Sequence, residues 1–462
     1  MMNPTSARKG ATARRGLWPL LGAGALALSA GACDTSSVVS LPDPDVIGTQ
    51  VVTDTANIAN LRNGVIYEFS RAYSSPAANN QDGGIIAHSG LLSDELWYAS
   101  TFPTLKEIDA RAIDEANTNL VAVFRFLQRA RNLAEVASDL YATTGQANKA
   151  DHALMLNYAG YTYIMFGENY CSGVPFSQTP ATGDINFGPG QTTTQIFELA
   201  LARFNSVLGM AGAGAEQLNV ARVGKARALL NLGRYAEAAA AVAAVPTGFV
   251  FNINYSATTS LPGNGVYYHI NSEKRSSSAS QEGTNGLQFF NRSVTTGSAT
   301  LDPRVPVNRT GTGLSTTVPH FSQQKYPTRG APIALATGVE ARLIEAEAQL
   351  KANNFAGPGG TLAILNSLRT TASLPALVDP GVGGGAREQM LFRERAFWMY
   401  LTAHRLGDLR RLIRQYGYTQ AQVFPVGTPI FGGAYGSDVN LPIPQPEKNN
   451  PEFGGTCIDR NA

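Results

Sequence analysis

A chain of 462 residues with 44% hydrophobic and 15% charged side chains can bury a sizeable core, in one large domain or two ordinary ones, and is not disordered. Its 47 Gly and 25 Pro predict long loops. Residues 1–32 hold four basic side chains and no acid, which leaves 32 basic against 34 acidic in the remainder and excludes a basic nucleic-acid-binding surface.

The N-terminus reads as a processing segment. Arg8, Lys9, Arg14 and Arg15 form a basic region, Leu17 to Leu28 an apolar one, and Leu28-Ser29-Ala30-Gly31-Ala32-Cys33 closes it with small residues before a cysteine. The apolar run is shorter than the about 20 residues of a spanning helix. Residues 1–32 are therefore expected to be a lipoprotein signal peptide and Cys33 the lipidated first residue of the mature chain. An ordinary signal peptide with an incidental cysteine is the other reading. Asp34 is similar to the second residue that retains some bacterial lipoproteins at the inner membrane, so it bears on which membrane is reached. Residues 33–54 form a tether, extended through Leu41-Pro42-Asp43-Pro44, because a residue before proline avoids the helical region. With Cys33 set aside, Cys171 and Cys457 are an even pair in an oxidising setting, expected to form one disulfide that ties the C-terminal tail to the N-terminal half. Two separate buried thiols are the alternative.

A single domain follows from residue 55. Asp54 or Thr55 caps a helix over 56–73 with Ile58, Leu61, Val65 and Phe69 as its stripe. Residues 75–84 read as a loop. Residues 88–102 lose period while gaining Trp97, Tyr98 and Phe102, which suits a ligand-facing loop or a packed corner. Helices are expected over 114–142, 147–166, 194–210, 217–232 and 235–245. Around Gly233, Tyr235, Ala238 and Pro246 the pattern is that of a tetratricopeptide hairpin, with a glycine turn, an aromatic wedge, a small contact residue and a stop. A second hairpin spans 339–350 and 362–370. Between the two lies an insert, residues 247–338, rich in Ser, Thr, Gly and Asn, without period and therefore expected to be loop-like and functional. It carries Tyr268, His269, Phe289, Phe290, His320 and Tyr326.

The strongest period lies over Arg387–Tyr416, read as one helix. Met390, Leu391, Phe397, Trp398, Leu401, Leu409, Leu412, Ile413 and Tyr416 fall on one side, and Arg393, Arg410, Arg411 and Arg414 on the other. Glu394, Arg405 and Asp408 sit on the apolar side, where an unpaired charge costs several kcal/mol. Arg405 and Asp408, three apart, are expected to pair; Glu394 needs a base from another element.

The order Glu394-Arg395, Arg405, Asp408-Leu409-Arg410 resembles the C-terminal signature of SusD/RagB-like proteins, surface lipoproteins that feed ligands to TonB-dependent outer-membrane transporters. Phe166-Gly167 leading to Val174-Pro175, Asp302-Pro303-Arg304, Lys325-Tyr326, Pro442-Ile443-Pro444 and Asn450-Pro451 resemble further landmarks of the same family, in the same order. The chain departs from the pattern at Trp398, where an acid is usual, and at Thr402-Ala403, where Glu-Gly is usual. The resemblance implies a mostly α-helical, tetratricopeptide-like fold with a loop-rich insert. It also implies a lipid-anchored protein, on the outer membrane and facing the cell surface, that captures a nutrient and delivers it to a SusC-like, TonB-dependent β-barrel partner.

No constellation argues for catalysis. The five histidines show no metal-ligand spacing. Gly381–Gly385 lacks the lysine and preceding strand of a phosphate loop. Asp94-Glu95 and Glu345/Glu347 do not make an acid/base pair by adjacency. No enzyme, cofactor or metal is expected. Aromatic faces with amide and carboxylate groups suit an oligosaccharide, and equally a peptide. Trp97, Tyr98, Tyr268 and Phe290 are the candidate ligand contacts. The rival reading is a tetratricopeptide-type assembly lipoprotein that binds other proteins.

Overall fold

The computed structural model describes residues 58–74, 83–147, 149–179, 185–259, 261–293 and 302–462. The signal segment, Cys33, the tether and the Asp54/Thr55 cap lie outside the described residues. Helix α1 (Ile58–Tyr73) buries Ile58, Leu61, Val65 and Phe69, as its period requires. Helix α2 (Gly84–Leu92) is not legible in the sequence because it is apolar on every side and wholly buried. After β1 (Leu96–Tyr98), helix α3 (Pro103–Asp109) opens with proline in its first turn. Helix α4 (Thr118–Thr143) starts later than its period suggests, because the Asn117 side chain accepts from the Asn119 and Leu120 N–H groups and caps it there.

From α4 the helices wind in series, each packed on the next: α5 (Ala150–Asn169), α6 (Thr193–Leu208), α7 (Gly214–Asn231), α8 (Tyr235–Val242), α9 (Gly338–Lys351) and α10 (Thr361–Thr371). These are the tetratricopeptide-like hairpins, and small residues let them close. The Phe204 ring of α6 lies so near Gly160 of α5 and Gly224 of α7 that a Cβ at either would stand 2.6 or 2.3 Å from it. Strands β2 (Val174–Pro175) and β3 (Gly190–Gln191) pair beyond α5. There the expected disulfide joins Cys171 to Cys457, with Ser172 and Asp459 bridged through their backbones.

Residues 247–338 are not the structureless loop their composition suggests. Strand β4 (Val250–Ile253) pairs antiparallel with β8 (Ile333–Thr337) and closes the base of the insert. Strand β6 (Val307–Thr312) pairs with β7 (Pro319–Gln323), and β5 (Ser276–Ser278) with β1. A π-helical turn covers Tyr267–Ser272. Strands this short, β5 of serines and β6 rich in Asn and Thr among them, carry no readable alternation, so partners distant in sequence define them.

The stretch 387–416 is two helices rather than one: α11 (Ala386–Trp398) and α12 (Arg405–Tyr416). Between them the chain turns with φ of +53° at Leu401 and +59° at Ala403. Five buried groups hold this backbone. Lys325 Nζ donates to the Tyr400 carbonyl at 2.6 Å, Tyr326 Oη to Leu401 at 3.2 Å, Tyr73 Oη to Thr402 at 3.2 Å and Arg227 Nη2 to Ala403 at 3.2 Å, while the Leu401 N–H donates to Glu95 at 3.1 Å.

The break redirects the charges. Arg405 does not pair with Asp408. As the first residue of α12 it forms a bidentate pair with Asp94, at 2.6 and 2.7 Å. Asp408 accepts instead from Arg395 at 3.0 Å and Arg411 at 2.8 Å. Arg410 and Arg411, expected on an exposed side, are buried because α5 and α9 cover them. Arg410 donates to the Gly167 and Glu168 carbonyls and Arg411 pairs with Glu347. Glu394 does take bases from other elements, Arg304 at 2.6 Å and Arg369 at 2.7 Å.

Ala403 occupies a left-handed conformation in which a Cβ costs about 1–2 kcal/mol. Ala403→Gly should therefore stabilise the fold by about 1 kcal/mol in denaturant unfolding. A loss of stability would show that the turn is not strained.

Candidate functional site

The Ser93–Glu95 segment follows α2 into the core. Asp94 is committed to Arg405 and also accepts from the Leu287 N–H. Glu95 is buried, with one oxygen on the Leu401 N–H and the other without a partner among the described residues, which suits a neutral carboxyl. Burial pushes Glu95 up to about 8 and lowers Lys325, on the far side of the same turn, to about 8. Both carboxylates are buried and engaged with the scaffold, Asp94 through Arg405 and Glu95 through the Leu401 backbone.

Strand β1 decides the fate of the aromatic stretch. Successive side chains of a strand point to opposite faces, and here both faces are covered. Trp97 is 0% exposed, donates its indole N–H to the Pro319 carbonyl at 3.0 Å and meets Phe321 edge-on. Tyr98 packs edge-on against Phe431, and Phe290 is buried against Phe321. These three candidate ligand contacts are therefore corrected to core residues. The physical reason is that β5, a run of small serines, and β7 close over them. Tyr268 alone of the four keeps exposed surface.

The exposed aromatic is Phe102, a few residues on. It is 40% exposed, and the guanidinium of Arg275 lies 4.4 Å from its ring centroid. Leu314, 41% exposed, stands nearby. Three loops are laced by backbone bonds beneath them: Ala99 N–H to the Arg275 carbonyl, Leu314 N–H to Lys274, and Ser315 N–H to Ala99. Gly313 permits this approach, since a Cβ there would sit 2.5 Å from that of Ala99. Arg275 leads to Glu273 at 3.4 Å, and Glu273 hydrogen-bonds Tyr268, which Arg329 approaches from outside. The result is a held platform of Phe102, Leu314 and Tyr268 on the insert side of the molecule, with Arg275 buried beneath the Phe102 ring. Phe102 lay within the aromatic stretch, but nothing in the sequence separates it from Trp97. Only the end of β1 does.

Clefts open elsewhere. One of about 330 Å³ lies among α11, α12, the Asn285–Leu287 loop and helix α13 (Gln420–Val423). Another, of about 300 Å³, lies across α13 beside Arg111 and Tyr435; burial lowers Arg111 there to about 10. A third, of about 380 Å³, is on the helical side among Glu135, Asp139, His152 and Arg203. Among the described residues no group of His, Cys, Asp and Glu could hold a metal ion, and no helix is long and apolar enough to cross a membrane.

No protein-family model matches the chain, and no curated protein matches its sequence. Solved structures share its fold. A SusD superfamily protein from Parabacteroides distasonis aligns over 86% of this chain and 98% of its own length, at 11% identity and a TM-score of 0.62. A SusD-like protein from Bacteroides fragilis aligns over 88% and 97%, at 12% identity and 0.61. A surface glycan-binding protein A from Bacteroides thetaiotaomicron aligns over 89% and 100%, at 12% identity and 0.58. At such identities the likeness is one of fold: the chain has the SusD-like fold, as the order of its landmarks implied.

Glu95 makes stability depend on pH. Folded, it keeps its proton up to about pH 8; unfolded, it loses it near the ordinary glutamate value of 4.5. The folded chain binds more protons across that window, so stability falls as pH rises through it. In denaturant unfolding at about pH 5.5 and about pH 7.5, Glu95→Gln should remove about 2 kcal/mol of this fall. An unchanged pH slope would mean that Glu95 is ionised in the fold.

Proposed function

We propose that this chain captures a carbohydrate at the cell surface and passes it to a TonB-dependent, SusC-like β-barrel partner, held to the outer membrane by a lipid on Cys33. The observation that carries the carbohydrate reading is the platform at Phe102. A sugar ring offers an apolar face that an exposed aromatic side chain can cover, and hydroxyls that charged and phenolic groups can bind. Phe102 supplies the face, and Glu273 and Tyr268 the polar groups, on loops already fixed in place over the buried Arg275. Preorganisation of this kind lowers the entropy cost of binding. The fold supports the reading, since solved proteins with it are described as a SusD-like carbohydrate-binding protein from Bacteroides vulgatus and as surface glycan-binding proteins. The role is binding without catalysis, and the buried states of Asp94 and Glu95 are consistent with that. Delivery to a barrel and lipid anchoring rest on the resemblance of the sequence, with Cys33 preceded by its small residues.

Calorimetry against a panel of neutral oligosaccharides and a panel of peptides tests the capture. Saturable sugar binding is expected, weakened about tenfold in Phe102→Ala, which loses an exposed ring and no core contact. Peptide binding alone, or sugar binding indifferent to Phe102, would overturn it. For the anchor, Cys33→Ala should move the protein from the membrane to the soluble fraction; continued membrane association would refute lipidation there.

A further inference from the structure

The cleft among α11, α12 and α13 is separate from the platform and has its own chemistry. Its volume of about 330 Å³ is at the small end for ligand sites, enough for a short sugar segment. Leu287 and Leu412 line an apolar wall, the half-buried ring of Tyr418 stands beside them, and the exposed amides of Gln389 and Gln422 border the opening. The floor is the Asp94–Arg405 pair, whose charges satisfy each other.

Arg393 also lines the cleft. Its neighbours Arg304 and Arg369 both bind Glu394, and Arg304 also binds Asp302. Both carboxylates are thus taken. Arg393 is exposed at the edge of the cleft, and among the described residues it forms no ion pair or hydrogen bond, only a stack on the Phe397 ring at 4.6 Å. A cation, two amides and an aromatic ring around one small cleft match a pyranose that bears a carboxylate. The carboxylate would lie on the guanidinium, the hydroxyls on the amides and the apolar ring face on Tyr418.

We propose that this cleft is a second sugar site, selective for a uronic acid, with Arg393 as the residue that sets the selectivity. The inference rests on the carbohydrate reading of the chain but uses none of the platform residues. It makes the captured glycan an acidic one, held at two points.

The test uses the full chain in detergent and a matched pair of probes, methyl β-D-glucuronide and methyl β-D-glucoside, which differ only in the carboxylate. Saturation-transfer NMR and calorimetry should show the glucuronide binding at least about tenfold more tightly than the glucoside. Arg393→Gln should abolish that preference, and Phe102→Ala should leave it intact; unchanged thermal unfolding of Arg393→Gln confirms that the variant is folded. Absence of glucuronide binding, or a preference that survives Arg393→Gln, overturns the proposal. So does a preference lost in Phe102→Ala, which would place the acidic sugar on the platform. Neutral oligosaccharides bound without any glucuronide preference would sink this cleft and leave the platform reading standing. Glucuronide selectivity through Arg393 in a protein that binds no neutral oligosaccharide would do the reverse.

Discussion

The turn from Met399 to His404 is the constraint on which the other elements converge. It separates two helices that its own side chains do not separate, since Met, Leu and Ala favour helix. What holds it open is a set of buried donors and one acceptor aimed at four consecutive residues. They come from α1 through Tyr73, from the approach to β1 through Glu95, from α7 through Arg227 and from the insert through Lys325 and Tyr326. Tyr73, Glu95, Arg227 and Tyr326 lie in the core and Lys325 is half-buried, so an unmade hydrogen bond at the turn is costly. Elements from both halves of the chain must therefore be in place for any of these groups to be satisfied. The left-handed residues Leu401 and Ala403 persist because the surroundings over-determine them.

The ion pairs follow from the same break. Turning α12 away from α11 brings Arg405 to Asp94 and Asp408 to Arg395, so the signature residues bind across elements rather than along one helix. Arg411 and Glu347 extend the network to α9, and Arg227 and Glu168 join α7 to α5. Buried pairs of this kind contribute little net stability over apolar side chains, but losing one partner strands the other. Their effect is to make one arrangement of the helices acceptable and the alternatives expensive. On this frame the two proposed recognition surfaces differ in kind. The platform is open, made of loops laced by backbone bonds. The cleft beside α13 is walled by helices and carries at its edge the exposed guanidinium of Arg393, which makes no ion pair among the described residues.

Several features were legible in the residues because their physics is local. Helical period located α1 and α4 to α10, with several ends displaced by three or four residues, at α4 by the Asn117 cap and at α5 and α7 without a side-chain cap. A charged residue on an apolar side announced that Glu394 needs a base from elsewhere, and an even cysteine pair in an oxidising setting announced the disulfide. The order of short landmarks carried the fold, although no one of them is specific.

Tertiary structure decided what depends on partners far away in the chain. Helix α2 has no period because it is covered on all sides, and the strands of the insert have no alternation because serine and threonine fit either face. Trp97 and Phe102 are five residues apart and alike in the sequence, yet β5 and β7 bury the first while the second emerges where β1 ends. The sequence by itself located the periodic helices, showed that Glu394 needs a base from elsewhere and pointed to a Cys171–Cys457 bond, since period, desolvation cost and redox setting act on the residues themselves. The break at Leu401–Ala403, the partners of each charge and the ring that faces solvent were left to the fold, because each depends on which neighbour arrives to cover or to bind it.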